Sequence, residues 1–262
     1  MNQTETKLSN AENSTRVPVV PWGWRDMIAA IVVAAAILLA LNLVVFAASL
    51  ALGLPLRENS GVLTLFLVIQ DLVVVGVAWW FGPVRYRVGG QVLGLRAYFM
   101  PLGCSLSLAL LLLSYVIRFL YSLIAIALGL RIEQQQILTR LDLHGVGFLL
   151  TLVAAAIVAP IAEEIFFRGF LYAGLRGRIG VAGAMLASTA LFTALHMSVE
   201  LFIPIFVLGL FLAVLYEATG SLYPSMLLHA ANNALSLILF FILQSSELLP
   251  NLSANILNLF HG

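Results

Sequence analysis

Apolar runs long enough to cross a bilayer recur along this chain, at about 27–53, 62–82, 99–129, 146–175, 181–198, 202–217 and 223–244. Lipid offers no partners to backbone N–H and C=O groups, so a spanning segment must satisfy its own hydrogen bonds. No alternating ten-residue segments of the kind that build a membrane barrel are present. The expected fold is therefore all-α, a polytopic helical membrane protein with about seven transmembrane helices, or eight. Composition agrees: 10% of the residues are charged and mean hydropathy is +1.06. The first 24 residues are polar and hold no short apolar core, so no cleaved signal peptide is read there.

The net charge of +1 carries no message about nucleic acid, and no nucleic-acid partner is expected. The placement of the cations does carry one about orientation. Lys7, Arg16, Arg25, Arg85, Arg87, Arg96, Arg176 and Arg178 fall on one side of the seven runs, against Arg57, Arg131 and Arg140 on the other. That bias puts the amino terminus and the Arg176–Arg178 turn in the cytosol, most simply of a bacterial cytoplasmic membrane. No internal repeat or low-complexity linker appears. The chain divides into a polar cytosolic tail (1–24), amino-terminal membrane helices (25–145), a helical core (146–244) and a carboxyl-terminal tail (245–262), with 251–260 read as a short interfacial helix. Trp22, Trp24, Trp79 and Trp80 fit an aromatic belt at span ends. Cys104, the only cysteine, excludes an internal disulfide and reads as a small core residue.

Against this background, Glu163, Glu164 and Arg168 stand out. An ionised side chain at membrane depth costs several kcal/mol by the lower estimates, so such residues usually face a cavity and serve a function. Glu164 and Arg168 are four residues apart on one helix face, in the favourable acid-before-base order. Glu163 is turned about 100° from its neighbour. One glutamate can pair with the arginine while the other points elsewhere. Two further helices carry polar groups at the same four-residue spacing: Phe192 and His196, then His229 and Asn233. Together these side chains supply a base, a second proton carrier and hydrogen-bond donors, the parts needed to hydrolyse a carbonyl compound. If the fourth and fifth runs form a hairpin at Gly177–Gly180, Glu163 and His196 lie at one depth, about 24 Å from the turn. His229 then matches that depth only if the arginine-bearing tip projects into water, with Met197–Pro204 irregular around a cavity. Gln70 and Asp71 are read as shaping the cavity or pairing with Arg118. Glu217 is read as interfacial, and Glu200 and His144 as surface loop residues.

Glu-Glu-x-x-x-Arg at 163–168, Phe-x-x-x-His at 192–196 and His-x-x-x-Asn at 229–233 resemble, in that order, the CAAX-protease and bacteriocin-processing (CPBP/Abi) family. Its members include the type II CAAX prenyl endopeptidases. The resemblance covers about 145–240, and Gly209, Glu217, Thr219, Gly220 and Ser221 also look like the family's helix end before the third motif. It implies a membrane-embedded endopeptidase acting on membrane-associated or lipidated peptides. Glu163 would activate the water with His196, His229 and Asn233 would stabilise the oxyanion, and Glu164 with Arg168 would brace the site. The residues leave the metal question open: Glu163, His196 and His229 suit a zinc or other divalent ion as well as a metal-free glutamate mechanism, with no required cofactor the preferred reading. No His-Glu-x-x-His, no pair of in-span aspartates and no Gly-x-Ser-x-Gly is present, which excludes three other intramembrane protease chemistries. A non-catalytic immunity or scaffold protein, and a proton-coupled transporter using Glu163, His196 and Asp71, are the competing readings.

Overall fold

The computed structural model describes residues 17–56, 59–129 and 145–245. Lys7, Arg16, Arg57, Arg131, Arg140, His144 and the expected helix at 251–260 lie outside the described residues. Among the described residues there is no strand, and the helices are α1 (Trp24–Leu52), α2 (Ser60–Trp79), α3 (Met100–Ala127), α4 (Gly145–Val153), α5 (Ala159–Glu164), α6 (Ala173–Leu195), α7 (Phe202–Thr219) and α8 (Leu222–Ser245). π-helical turns join α4 to α5 (Ala154–Val158) and α5 to α6 (Ile165–Tyr172). Asn59 caps α2, accepting from the Val62 N–H at 3.0 Å. The protein is a polytopic all-α membrane protein.

Among the described residues six segments are long and apolar enough to cross a bilayer, close to the expected seven, because the fourth runs unbroken from Val146 to Leu195 and contains two of the expected runs. Its 50 residues would make a rod of about 75 Å at 1.5 Å per residue. That is more than twice the roughly 30 Å of a bilayer core. The chain instead doubles back inside it. Gly180 has φ 73° and ψ 175°, a left-handed setting that glycine reaches without a Cβ clash. The rings of Phe167 and Phe192, one on each leg, meet edge-on at 5.2 Å. The hairpin expected from the sequence is present, but its turn is a single residue.

Burial separates the two halves of the molecule. Only 11% of the most apolar stretch of each of α1, α2 and α3 is buried, against 44% in α7 and 39% in α8. The amino-terminal helices turn Leu39, Leu43, Val44, Phe46, Leu112 and Phe119 outward, as lipid-facing surfaces require. The carboxyl-terminal helices enclose the polar groups.

One end of the bundle is tied by charge. Asp26, in the first turn of α1, accepts from the Gly23 N–H (2.9 Å) and the Tyr86 hydroxyl (2.6 Å), and pairs with Arg85 (3.0 Å). Glu217, expected to be simply interfacial, is gripped by both donors of Arg176 (2.8 and 2.6 Å) and by the Tyr172 hydroxyl (2.6 Å). Two other expectations are corrected here. Cys104 is exposed on α3, not packed in the core. Trp22 is no belt residue: it is fully buried, stacks on Phe170 at 5.3 Å and donates its indole N–H to the Phe170 carbonyl at 2.9 Å. A donor with a buried partner favours the interior over the interface. Trp24 and Trp80 are exposed.

Trp22→Ala should therefore lower unfolding free energy in detergent by about 3–5 kcal/mol. Trp80→Ala, on an outward face, should cost under about 1 kcal/mol in the same denaturation assay.

Candidate active site

Arg168 lies in the second π-helical turn and is completely buried. Its Nη1 donates to Glu164 Oε1 at 2.8 Å, and its Nη2 to the Gly209 carbonyl of α7 at 3.1 Å. The guanidinium also lies 4.5 Å from the centre of the Phe192 ring, within cation–π range. Gly209 permits this approach: a Cβ there would stand 2.8 Å from Thr189 Cγ2 and 3.5 Å from Arg168 Nη2. The arginine thus joins the first leg of the hairpin, the second leg and α7 through one planar group.

The two glutamates part as their helical angle requires. The Glu164 side chain is wholly buried, while that of Glu163 keeps 24% exposure. Glu164 Oε1, already held by Arg168, also accepts from His229 Nδ1 at 3.1 Å. A carboxylate paired to arginine is an acceptor, so Nδ1 carries a proton. That Nε2 faces Glu163 Oε2 at 3.6 Å. Arg168, Glu164 and His229 are therefore linked through Glu164 Oε1, and Glu163 lies at the far side of the imidazole.

Glu163, His196 and Asn233 line a cavity of about 940 Å³, together with Gln70, Asp71 and Glu200. The rings of Phe166, Phe167 and Phe192 give it an apolar wall, and no Lys or Arg is among the described residues lining it. His196 Nδ1 donates to the Phe192 carbonyl at 2.8 Å, since a carbonyl can only accept. With Nδ1 as the donor, an unprotonated Nε2 is an acceptor. Asn233 donates to the Ala155 carbonyl (3.0 Å) and accepts from the Asn232 amide (3.2 Å). Ala155 sits in the first π-helical turn, where the regular i to i+4 ladder is interrupted and carbonyls become available to side chains. Met197–Glu200 form the irregular rim of the cavity, with Met197 at φ 51°. The irregular stretch is shorter than expected, because Phe202–Pro204 already belong to the first turn of α7.

The structure differs from the sequence expectations in two ways. His229 is 2% exposed and is not part of the cavity wall, so it stands behind Glu163 rather than beside a bound carbonyl. Arg118 does not pair with Asp71. It donates to Ser236 Oγ (2.9 Å) and Asn232 Oδ1 (3.4 Å), and so steadies the neighbour of Asn233. Asp71 instead shares the cavity with Glu163. A carboxylate in mid-span was the signal for Asp71; nothing in local spacing could link Arg118 on α3 to α8. A metal fits poorly: among the described residues no three His, Cys, Asp or Glu side chains are grouped to hold an ion. No step below is routed through one.

The site thus combines a buried carboxylate and arginine, a histidine held between two glutamates, and a partly exposed glutamate in an apolar cavity. Residues 145–235 match the family model of the Rce1-like type II CAAX prenyl endopeptidases. The resemblance carried by the three motifs is thereby shown. The match spans about a third of the chain and contains the whole of α4–α7, both π-helical turns and the motif of α8. This segment is therefore similar to the CAAX-type membrane proteases. No curated protein and no solved structure gives a significant match.

Removing one partner from a buried ion pair leaves an unpaired charge. Arg168→Ala should therefore destabilise the protein by about 3–5 kcal/mol in detergent unfolding. Glu163→Gln, at a half-exposed site, should stay within about 1 kcal/mol of the parent.

Proposed function

We propose that the protein is a membrane-embedded endopeptidase in which Glu163 activates a water held in the cavity against the scissile carbonyl of a membrane-associated peptide. The observation that carries this reading is the contrast between the two adjacent glutamates, one sealed with Arg168 and His229, the other open to a cavity it shares with His196 and Asn233. Glu163 takes the proton as the water attacks and passes it to His196 Nε2. The protonated His196 then delivers that same proton to the leaving amine as the C–N bond breaks, which returns both groups to their starting states. The Asn233 amide, with one N–H not spent on Ala155, is the donor best placed for the developing oxyanion. His229 acts through Glu163: its Nδ1–H bond to Glu164 fixes the ring and keeps Nε2 against the base. This departs from the oxyanion role that the resemblance implies for His229. The apolar walls suit lipidated or transmembrane peptides and shield the site from bulk water, where such electrostatic aid is strongest.

The reading is tested with purified protein in liposomes, offered a farnesylated peptide ending in a CAAX sequence and an unlipidated transmembrane peptide, with products read by mass spectrometry. Cleavage of at least one peptide is expected. Glu163→Gln should reduce the rate by about 10²–10⁴-fold, the usual worth of a general base. No cleavage by the parent protein, or an unchanged rate in the variant, contradicts the proposal. The mechanism needs no ion, so chelation should leave the rate unchanged; loss on chelation with recovery on added zinc would overturn the metal-free form.

A further inference from the structure

The described cations are segregated along the bundle. Arg25 opens α1, Arg85 and Arg87 follow α2, Arg96 precedes α3, and Arg176 and Arg178 sit at the hairpin tip. Contacts show that these positions share one end of the molecule. Arg85 reaches Asp26 at 3.0 Å, Arg96 donates to the Gly220 carbonyl between α7 and α8 at 2.8 Å, and Arg176 grips Glu217. The Arg178 guanidinium packs against Gly23, within 3.3 Å of where a Cβ would stand. The two other described arginines, Arg118 and Arg168, are inside the bundle with their partners.

The cavity lies toward the opposite end. Its rim is Met197–Glu200, reached from Gly180 by a helical leg of about 22 Å at 1.5 Å per residue. Thr64, in the first turns of α2, lies on that side, and Leu38, midway along α1, lines the cavity deeper in the bundle. Tyr121, near the far end of α3, donates to the Glu200 carbonyl at 2.5 Å and so belongs to the same end. Val199 is 85% exposed there. Cavity mouth and arginine cluster are therefore on opposite faces of the membrane.

Cytoplasmic loops carry the excess of Lys and Arg. We propose that the cavity is entered from the extracytosolic face, so that its substrates present their scissile segment on that side: ends or loops of exported or membrane-inserted polypeptides, not cytosolic lipidated tails. The sidedness stands on charge and geometry alone, while the substrate class rests on the hydrolytic reading.

Labelling with a membrane-impermeant maleimide tests the sidedness without any activity assay. In a Cys104→Ser background, single cysteines are placed at the rim (Val199→Cys, and independently Glu200→Cys) and at the basic end (Gly177→Cys, and independently Gln91→Cys). No atom lies within 4 Å of a Cβ at Gly177, and Gln91 is exposed, so both tolerate the change. In intact cells carrying the protein in a bacterial cytoplasmic membrane with the outer envelope opened, the rim cysteines should label to the level of fully permeabilised cells. The basic-end cysteines should stay at background until permeabilisation. The reverse pattern, or labelling of both ends in intact cells, overturns the proposal. Because labelling does not depend on cleavage, failure of the liposome assay and failure of the sidedness are separate results.

Discussion

The buried contact between Arg168 and Glu164 is the interaction on which the arrangement depends. In an apolar bundle an arginine and a carboxylate can be sealed from water only together. Arg168 also donates to the carbonyl of Gly209 on α7, and Glu164 Oε1 also accepts from the imidazole of His229 on α8. One ion pair therefore fixes the approach of two other helices and the orientation of a histidine ring. Glu163, the next residue along, inherits a defined position at the edge of this network while keeping an opening to the cavity.

The π-helical turns on either side of α5 make the register work. Each winds extra residues into a turn and frees carbonyls from the regular ladder. The first gives Asn233 an acceptor at Ala155; the second carries Arg168 into the core and lets Phe167 meet Phe192 across the hairpin. They also help reconcile the depths that spacing alone leaves in conflict, since an extended π-helical stretch shortens the axial distance from Glu163 to the tip. The arginine tip still reaches beyond the start of α8, where Arg176 and Glu217 close the end of the bundle.

Much of this was legible in the sequence. Hydropathy gave the helices within a few residues, and four-residue spacing placed Glu164 with Arg168. The three motifs gave the family that 145–235 match. What spacing could not reveal were relations between distant elements. Helical periodicity is blind to which neighbour a face meets, so the contact of His229 with both glutamates, and of Arg118 with Asn232, came only with the packing. The expected number of spans was close, and the one difference is local: a one-residue reversal at Gly180 joins the two expected legs into a single apolar segment that doubles back on itself. Trp22 failed because a tryptophan near a span end reads alike whether its indole meets headgroups or the carbonyl of Phe170.

The central claim is that Glu163, and not its buried neighbour, carries the chemistry. The most direct measurement compares the polypeptide termini of membrane fractions from cells producing the parent protein and cells producing an equal amount of Glu163→Gln. The account predicts a set of new termini, flanked by apolar sequence, that is present with the parent and missing with the variant. Identical sets of termini from the two strains would contradict it.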